Sequence, residues 1–143
     1  MSVYTQYKFL IVPFVLWFCI QSFKVIWDLV KIKQFNFKRI VGAGGMPSAH
    51  SGVVVCVASM IGKSQGVGSP IFALAFFFSF VVMYDACGVR RAAGKQAHIL
   101  NEIVNTKGLT TIQVNEKLEE LLGHTPKQVL VGALLGLLVG IIA

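Results

Sequence analysis

Charge is what this chain has least of. Asp, Glu, Lys and Arg make up 13% of its 143 residues, against roughly 25% in soluble domains. An ordinary hydrated surface is excluded. The apolar residues, 55% of the chain, come in long blocks, and the mean hydropathy is +0.72. This composition predicts an integral membrane protein. The three cysteines, Cys19, Cys56 and Cys87, lack CxxC spacing and histidine partners at zinc spacing. That argues against a zinc site and predicts free, mostly buried thiols. No cleavable signal is expected either. The first apolar block, about Phe9 to Phe23, has no small-residue cleavage site behind it and reads as an uncleaved span. Acidic residues number 6 and form no cluster that would demand magnesium.

What is present is a basic excess in short loops between apolar blocks. The net charge is +7. Its distribution follows the positive-inside rule rather than a nucleic-acid face, so no nucleic-acid partner is expected. Four spans are predicted: Tyr7 to Val30, Pro47 to Gly62, Pro70 to Gly88, and Pro126 to Ala143. Lys31, Lys33, Lys38 and Arg39 follow the first. Arg90, Arg91, Lys95, Lys107 and Lys117 lie between the third and fourth, with only Lys8 and Lys63 on the opposite side. Both large loops are therefore expected in the cytoplasm. The second loop reads as helical from Val89 to about Asn105. A capping box at Thr110 and Gln113 then opens a short amphipathic helix. The expected fold is all-α: a single-domain integral membrane helical bundle, residues 1–143, with about four transmembrane helices and a cytoplasmic helical loop.

Three polar segments fall on one side of this topology: Gly44 to Ser51, Tyr84 to Lys95, and Gly123 to Gln128. In the first, Pro47 suits the opening turn of a helix, because its missing N–H would be unpaired there anyway. The backbone amides at such an end, with Gly45 and Ser48, favour phosphate, and His50 stands beside them. In the second, Arg91 and Lys95 share a helical face with Gly88 and offer donors to phosphate oxygens. Asp85, near the end of an apolar span, either balances an arginine or orients a catalytic histidine. In the third, Thr125 is a predicted N-cap with Pro126 at the first helical position and Gln128 at capping-box spacing. His124 then projects at a second helix mouth. Two histidines facing one basic cluster fit nucleophile-plus-acid chemistry. Gly132, Gly136 and Gly140 line one face of the last helix and predict close backbone packing. The partner is either another span of this chain or the same helix in a homodimer.

Pro47-Ser48-Ala49-His50 and Gly123-His124 through Gly132 resemble the second and third motifs of the type 2 phosphatidic acid phosphatase superfamily. These are the lipid phosphatases related to vanadium haloperoxidases. The blocks from Gly44 to Ser51, Tyr84 to Asn101 and Gly123 to Gly136 look like its small divergent bacterial branch. Alanine replaces the glycine of the second motif. Lys33 and Arg39 are the nearest counterpart of the first motif, with no proline after them. Gln128 replaces the aspartate that orients the nucleophilic histidine in the family. A glutamine accepts a hydrogen bond but does not offset imidazolium charge.

The resemblance implies a metal- and cofactor-independent phosphomonoesterase in the cell membrane, with its active site facing the cytoplasm. His124 would attack phosphorus to give a phosphohistidine, and His50 would protonate the leaving alkoxide. Ser48, the amides around Gly45, Arg39, Arg90 or Arg91, and Lys95 would hold the phosphoryl group. Phosphatidylglycerophosphate is the preferred substrate and a polyprenyl phosphate or diphosphate the alternative. The reading from another class is a non-catalytic membrane protein that binds phospholipid headgroups.

Overall fold

The computed structural model describes residues 3–32, 45–106 and 123–143. Among them are five helices: α1, Val3–Ile32; α2, Ala49–Gln65; α3, Pro70–Cys87; α4, Val89–Thr106; and α5, Pro126–Ile142. The loop residues Lys33, Lys38, Arg39 and Lys107, and the helix expected after Thr110, lie outside the described residues.

The helix starts are set by short polar side chains. Ser48 caps α2, Ser69 caps α3 and Thr125 caps α5, each accepting a hydrogen bond from the amide three residues on. The predicted capping box of Thr125 and Gln128 is formed, with Pro126 in the first turn. The start of α2 differs from expectation. Pro47 stands before the cap rather than inside the first turn, because Ser48 supplies the extended capping conformation and α2 begins at Ala49. Gly88 separates α3 from α4, and its N–H donates to the Tyr84 carbonyl.

Burial is distributed as a lipid solvent requires. Phe76, Phe77, Phe78 and Phe80 of α3 and Leu130, Leu134 and Leu138 of α5 are exposed. The buried faces of α2 and α5 are mostly small: Ala49, Ser51, Gly52, Cys56 and Ala58, against Gly132, Gly136 and Gly140. Lipid tails are as apolar as leucine, so close packing of small residues holds such helices together rather than burial of large ones. Helix α1 and the run Pro70–Ile103, which takes in α3 and most of α4, are long and apolar enough to cross a membrane, whereas α5 is shorter. Helices α2 and α5 have 17 residues each, about 25 Å at ~1.5 Å per residue, less than a hydrocarbon core of ~30 Å. The chain is an all-α membrane bundle.

Helix α2 is its centre and touches α1, α3 and α5. A side chain at Gly132 would meet the Ser48 carbonyl, one at Gly136 the Gly52 carbonyl, and one at Gly140 the Cys56 carbonyl at 2.6 Å. Each step of four along α5 matches a step of four along α2, so the two helices run parallel. The glycine stripe is thus filled within the chain, which leaves that face unavailable to a second copy. At the far end Lys63 Nζ donates to the Ile141 carbonyl at 2.8 Å, a cation on the unpaired carbonyls of a helix C-terminus. Helices α1 and α3 run the other way. Ile20 packs against Gly52 while Lys24 approaches Gly45, and Ser79 Oγ donates to the Val54 carbonyl at 3.0 Å while Phe72 packs against Gly62.

Candidate active site

This up-and-down arrangement brings the mouths of α2 and α5 together with the ends of α1 and α3. Two backbone hydrogen bonds join the three polar segments. Ser48 N–H donates to the Gln128 carbonyl at 3.0 Å, and His124 N–H donates to the Ala86 carbonyl at 2.9 Å. The second bond satisfies a carbonyl in the last turn of α3, which has no partner in its own helix. Gly123 permits that docking. Its φ is +95°, and a side chain there would meet the backbone of Arg90 and Arg91. Only glycine suits both demands.

The result is a histidine pair. The His50 and His124 rings lie 6.1 Å apart, edge to face. His50 is exposed in the first turn of α2. His124 is 2% exposed, and its Nε2 is closed off without a hydrogen-bond partner. Its Nδ1 lies 3.3 Å from Gln128 Oε1. That oxygen also accepts the Thr125 N–H at 2.9 Å. A backbone N–H only donates, so the Gln128 atom facing it is the carbonyl oxygen, and the same oxygen can only accept from His124. Nδ1 therefore carries the proton and Nε2 the lone pair. The capping box that starts α5 thus sets the tautomer a nucleophilic imidazole needs. Burial, then the charge of Lys24, push the His124 pKa below its ordinary 6.5. His50 acts the same way more weakly, while the Gln128 side chain and the Gly45 carbonyl oppose the shift. The neutral imidazole is favoured at pH 7.

The other expected residues divide by position. Arg90 and Asp85 line a cavity with His50, and Arg90 Nε donates to Asp85 Oδ2 at 2.7 Å. Of the two roles left open for Asp85, the geometry gives the arginine partner; Gln128 stands at His124 Nδ1. Gly45 turns with φ +75° beside Lys24. Ser48 is fully buried, and its Oγ accepts the Ser51 hydroxyl at 3.1 Å and the Ser51 N–H at 3.4 Å, so its oxygen serves the cap. Arg91 packs its backbone on Gly123 and, like Lys95, is exposed. Arg39 lies outside the described residues.

Lys24 is the residue the sequence reading missed. In the sequence it stands four residues before Asp28, at the spacing of a helical ion pair near the end of the first apolar block. It is only 6% exposed, and its charge acts on both His50 and His124. A lysine inside an apolar span is itself a functional signal, because membranes rarely tolerate one without a role.

A membrane-embedded helical bundle with two histidines at adjacent helix mouths defines the class. The chain belongs to the Divergent PAP2 family, which matches residues 5–139. It is 33% identical to the uncharacterized membrane protein YuiD of Bacillus subtilis (strain 168), over 85% of this chain and 84% of YuiD. No solved structure matches it.

Proposed function

We propose that this protein is a phosphatase of membrane lipid phosphates that works through a phosphohistidine. The carrying observation is the histidine pair, with rings 6.1 Å apart, one Nε2 unpartnered and the charge of Lys24 acting on both. In this reading His124 Nε2 attacks phosphorus and the phosphorus–oxygen ester bond breaks. Protonated His50 gives its proton to the leaving alkoxide. His50 then takes a proton from water, which attacks phosphorus and releases phosphate and neutral His124. Lys24, Arg90 and the first-turn amides of α2 offset the charge that builds on the phosphoryl oxygens. Phosphatidylglycerophosphate, formed on the cytoplasmic side, is the preferred substrate within the class.

The test is phosphate release by the purified protein from phosphatidylglycerophosphate, phosphatidic acid and a polyprenyl phosphate. We expect release, inhibition by vanadate and no effect of a chelator. Loss of activity with chelator, restored by magnesium, would replace this mechanism with a metal-dependent one. Gln128 in place of a carboxylate favours the second reading, a headgroup-binding protein without turnover. No release from any of the three lipids, with retained binding, would establish it.

The proposed orientation is multi-pass with the histidine pair facing the cytoplasm, since the two large loops hold nine of the basic residues and the opposite side two. Cys87, partly exposed at the end of α3, reports on it. In a Cys19→Ser background, a membrane-impermeant thiol reagent should label Cys87 in inside-out vesicles only. Labelling in intact cells would reverse the orientation.

A further inference from the structure

Helices α1 and α3 flank α2 without touching one another. Between them lies a cleft of about 460 Å³. Trp17, Val53, Phe78 and Val81 make its apolar walls, and His50, Asp85 and Arg90 occupy one end. From Phe78 to Asp85, two residues lining this cleft on one helix, the depth is about 10 Å at ~1.5 Å per residue. The cleft thus has a polar head that contains one of the paired histidines and a hydrocarbon-like body.

We propose that this cleft holds one hydrocarbon chain of a phosphate ester, which brings the phosphate sideways from the bilayer to His50. The two ends match the two parts of such a molecule. Arg90 and His50 face the anion, while Val53, Val81, Phe78 and Trp17 face methylenes. A water-soluble phosphate would leave those walls without a counterpart. Lipid hydrocarbon is as apolar as the cleft, so the chain gains little by transfer. What the cleft supplies is position. A chain lying along Phe78 and Val81 holds its phosphate at the depth of the short helices α2 and α5, and in-line attack depends on that placement. A second chain, in lipids that have one, stays in the surrounding bilayer.

This inference rests on the phosphatase reading, and its test is read without turnover. The full-length protein is placed in phosphatidylcholine vesicles that contain phosphatidic acid with a diazirine halfway along one chain. A parallel sample carries the same diazirine chain on phosphatidylcholine. After irradiation, adducts are mapped by mass spectrometry. We expect adducts at Val53, Phe78 and Val81 in several-fold excess from phosphatidic acid over phosphatidylcholine. Inorganic phosphate should reduce the excess, and Val81→Trp, or separately Val53→Phe, should remove it in protein that keeps its helix content and detergent elution volume. Equal labelling by both lipids would mean that the cleft is ordinary lipid-facing surface, and would overturn the proposal. So would an excess mapped to another face, or one unchanged in both filled variants. An inactive protein that shows the excess loses the phosphatase reading and keeps the cleft. An active protein without the excess loses only the cleft.

Discussion

Replacing His124 with alanine should abolish phosphate release, and His124→Asn, which keeps a polar side chain beside Gln128, should do the same. The imidazole is the proposed bond-forming group, and the neighbouring Thr125 hydroxyl is engaged in the helix cap. His50→Ala should behave differently. Loss of a general acid and base costs typically ~10²–10⁴-fold, but the attacking nitrogen remains. A lipid alkoxide, a poor leaving group, should feel the full loss. A nitrophenolate leaves without a proton, so phosphoenzyme formation from nitrophenyl phosphate should persist and be trapped by an alkaline denaturing quench, because acid hydrolyses the phosphorus–nitrogen bond of phosphohistidine. Full activity in both His124 variants would remove this mechanism. The pH profile gives a second readout. Attack requires neutral His124, whose pKa lies below 6.5 through burial and then the charge of Lys24. The acid limb of the rate should therefore fall below pH 6.5, and Gln128→Glu, which places a carboxylate at Nδ1, should move it upward. The sign for stability is consistent. The unfolded chain takes up this proton first as pH drops through 6.5, so the folded state loses stability from there down to the folded pKa, with no contribution above 6.5.

The parts of this site that could be read from the chain were those whose signals are local. Ser48 and Thr125 announce helix starts because a cap is a relation between residues three apart. His50 and His124 could be placed at helix mouths for the same reason, and the basic loops gave one side to all three polar segments. Lys24 could not be found this way. Its significance lies in two histidines far along the chain, whereas its only visible sequence partner, Asp28, suggested a local pair. The role of Asp85 was also undetermined. Either an arginine or a histidine satisfies a carboxylate at a span end, and only the turn at Gly88, which brings Arg90 back to it, distinguishes the two. Gln128 was visible as a departure from a motif. That its amide is locked by the Thr125 N–H, and so fixes which nitrogen of His124 holds the proton, is a matter of three-dimensional geometry. The cleft between α1 and α3 left no trace in the sequence, since apolar residues on three separate helices carry no pattern that joins them.

The same distinction governs what holds the site together, and it leads to the second large effect. Gly136→Leu should prevent α5 from seating on α2. A side chain at Gly136 meets the Gly52 carbonyl and, at 3.0 Å, the Cys56 amide nitrogen. Both are backbone atoms of a helix and cannot rotate away as a side-chain tip would. Even Gly136→Ala must push the helices apart, at a cost of about 1–3 kcal/mol by analogy with overpacked cores, and leucine should exceed that. The consequence reaches the chemistry. The contacts of Ser48 with Gly132, Gly52 with Gly136 and Cys56 with Gly140 keep α2 and α5 parallel and in register, and that register sets His50 beside His124. Gly136→Ala should therefore lower thermal stability in detergent and reduce turnover together, while Gly136→Leu should fail to yield a monodisperse protein. Gly68→Ala serves as the control. It lies in the exposed turn between α2 and α3, where an added methyl meets nothing within 4 Å, and it should change neither quantity. If Gly136→Leu keeps wild-type melting temperature, activity and oligomeric mass, the glycine contact with α2 is not what positions the two histidines.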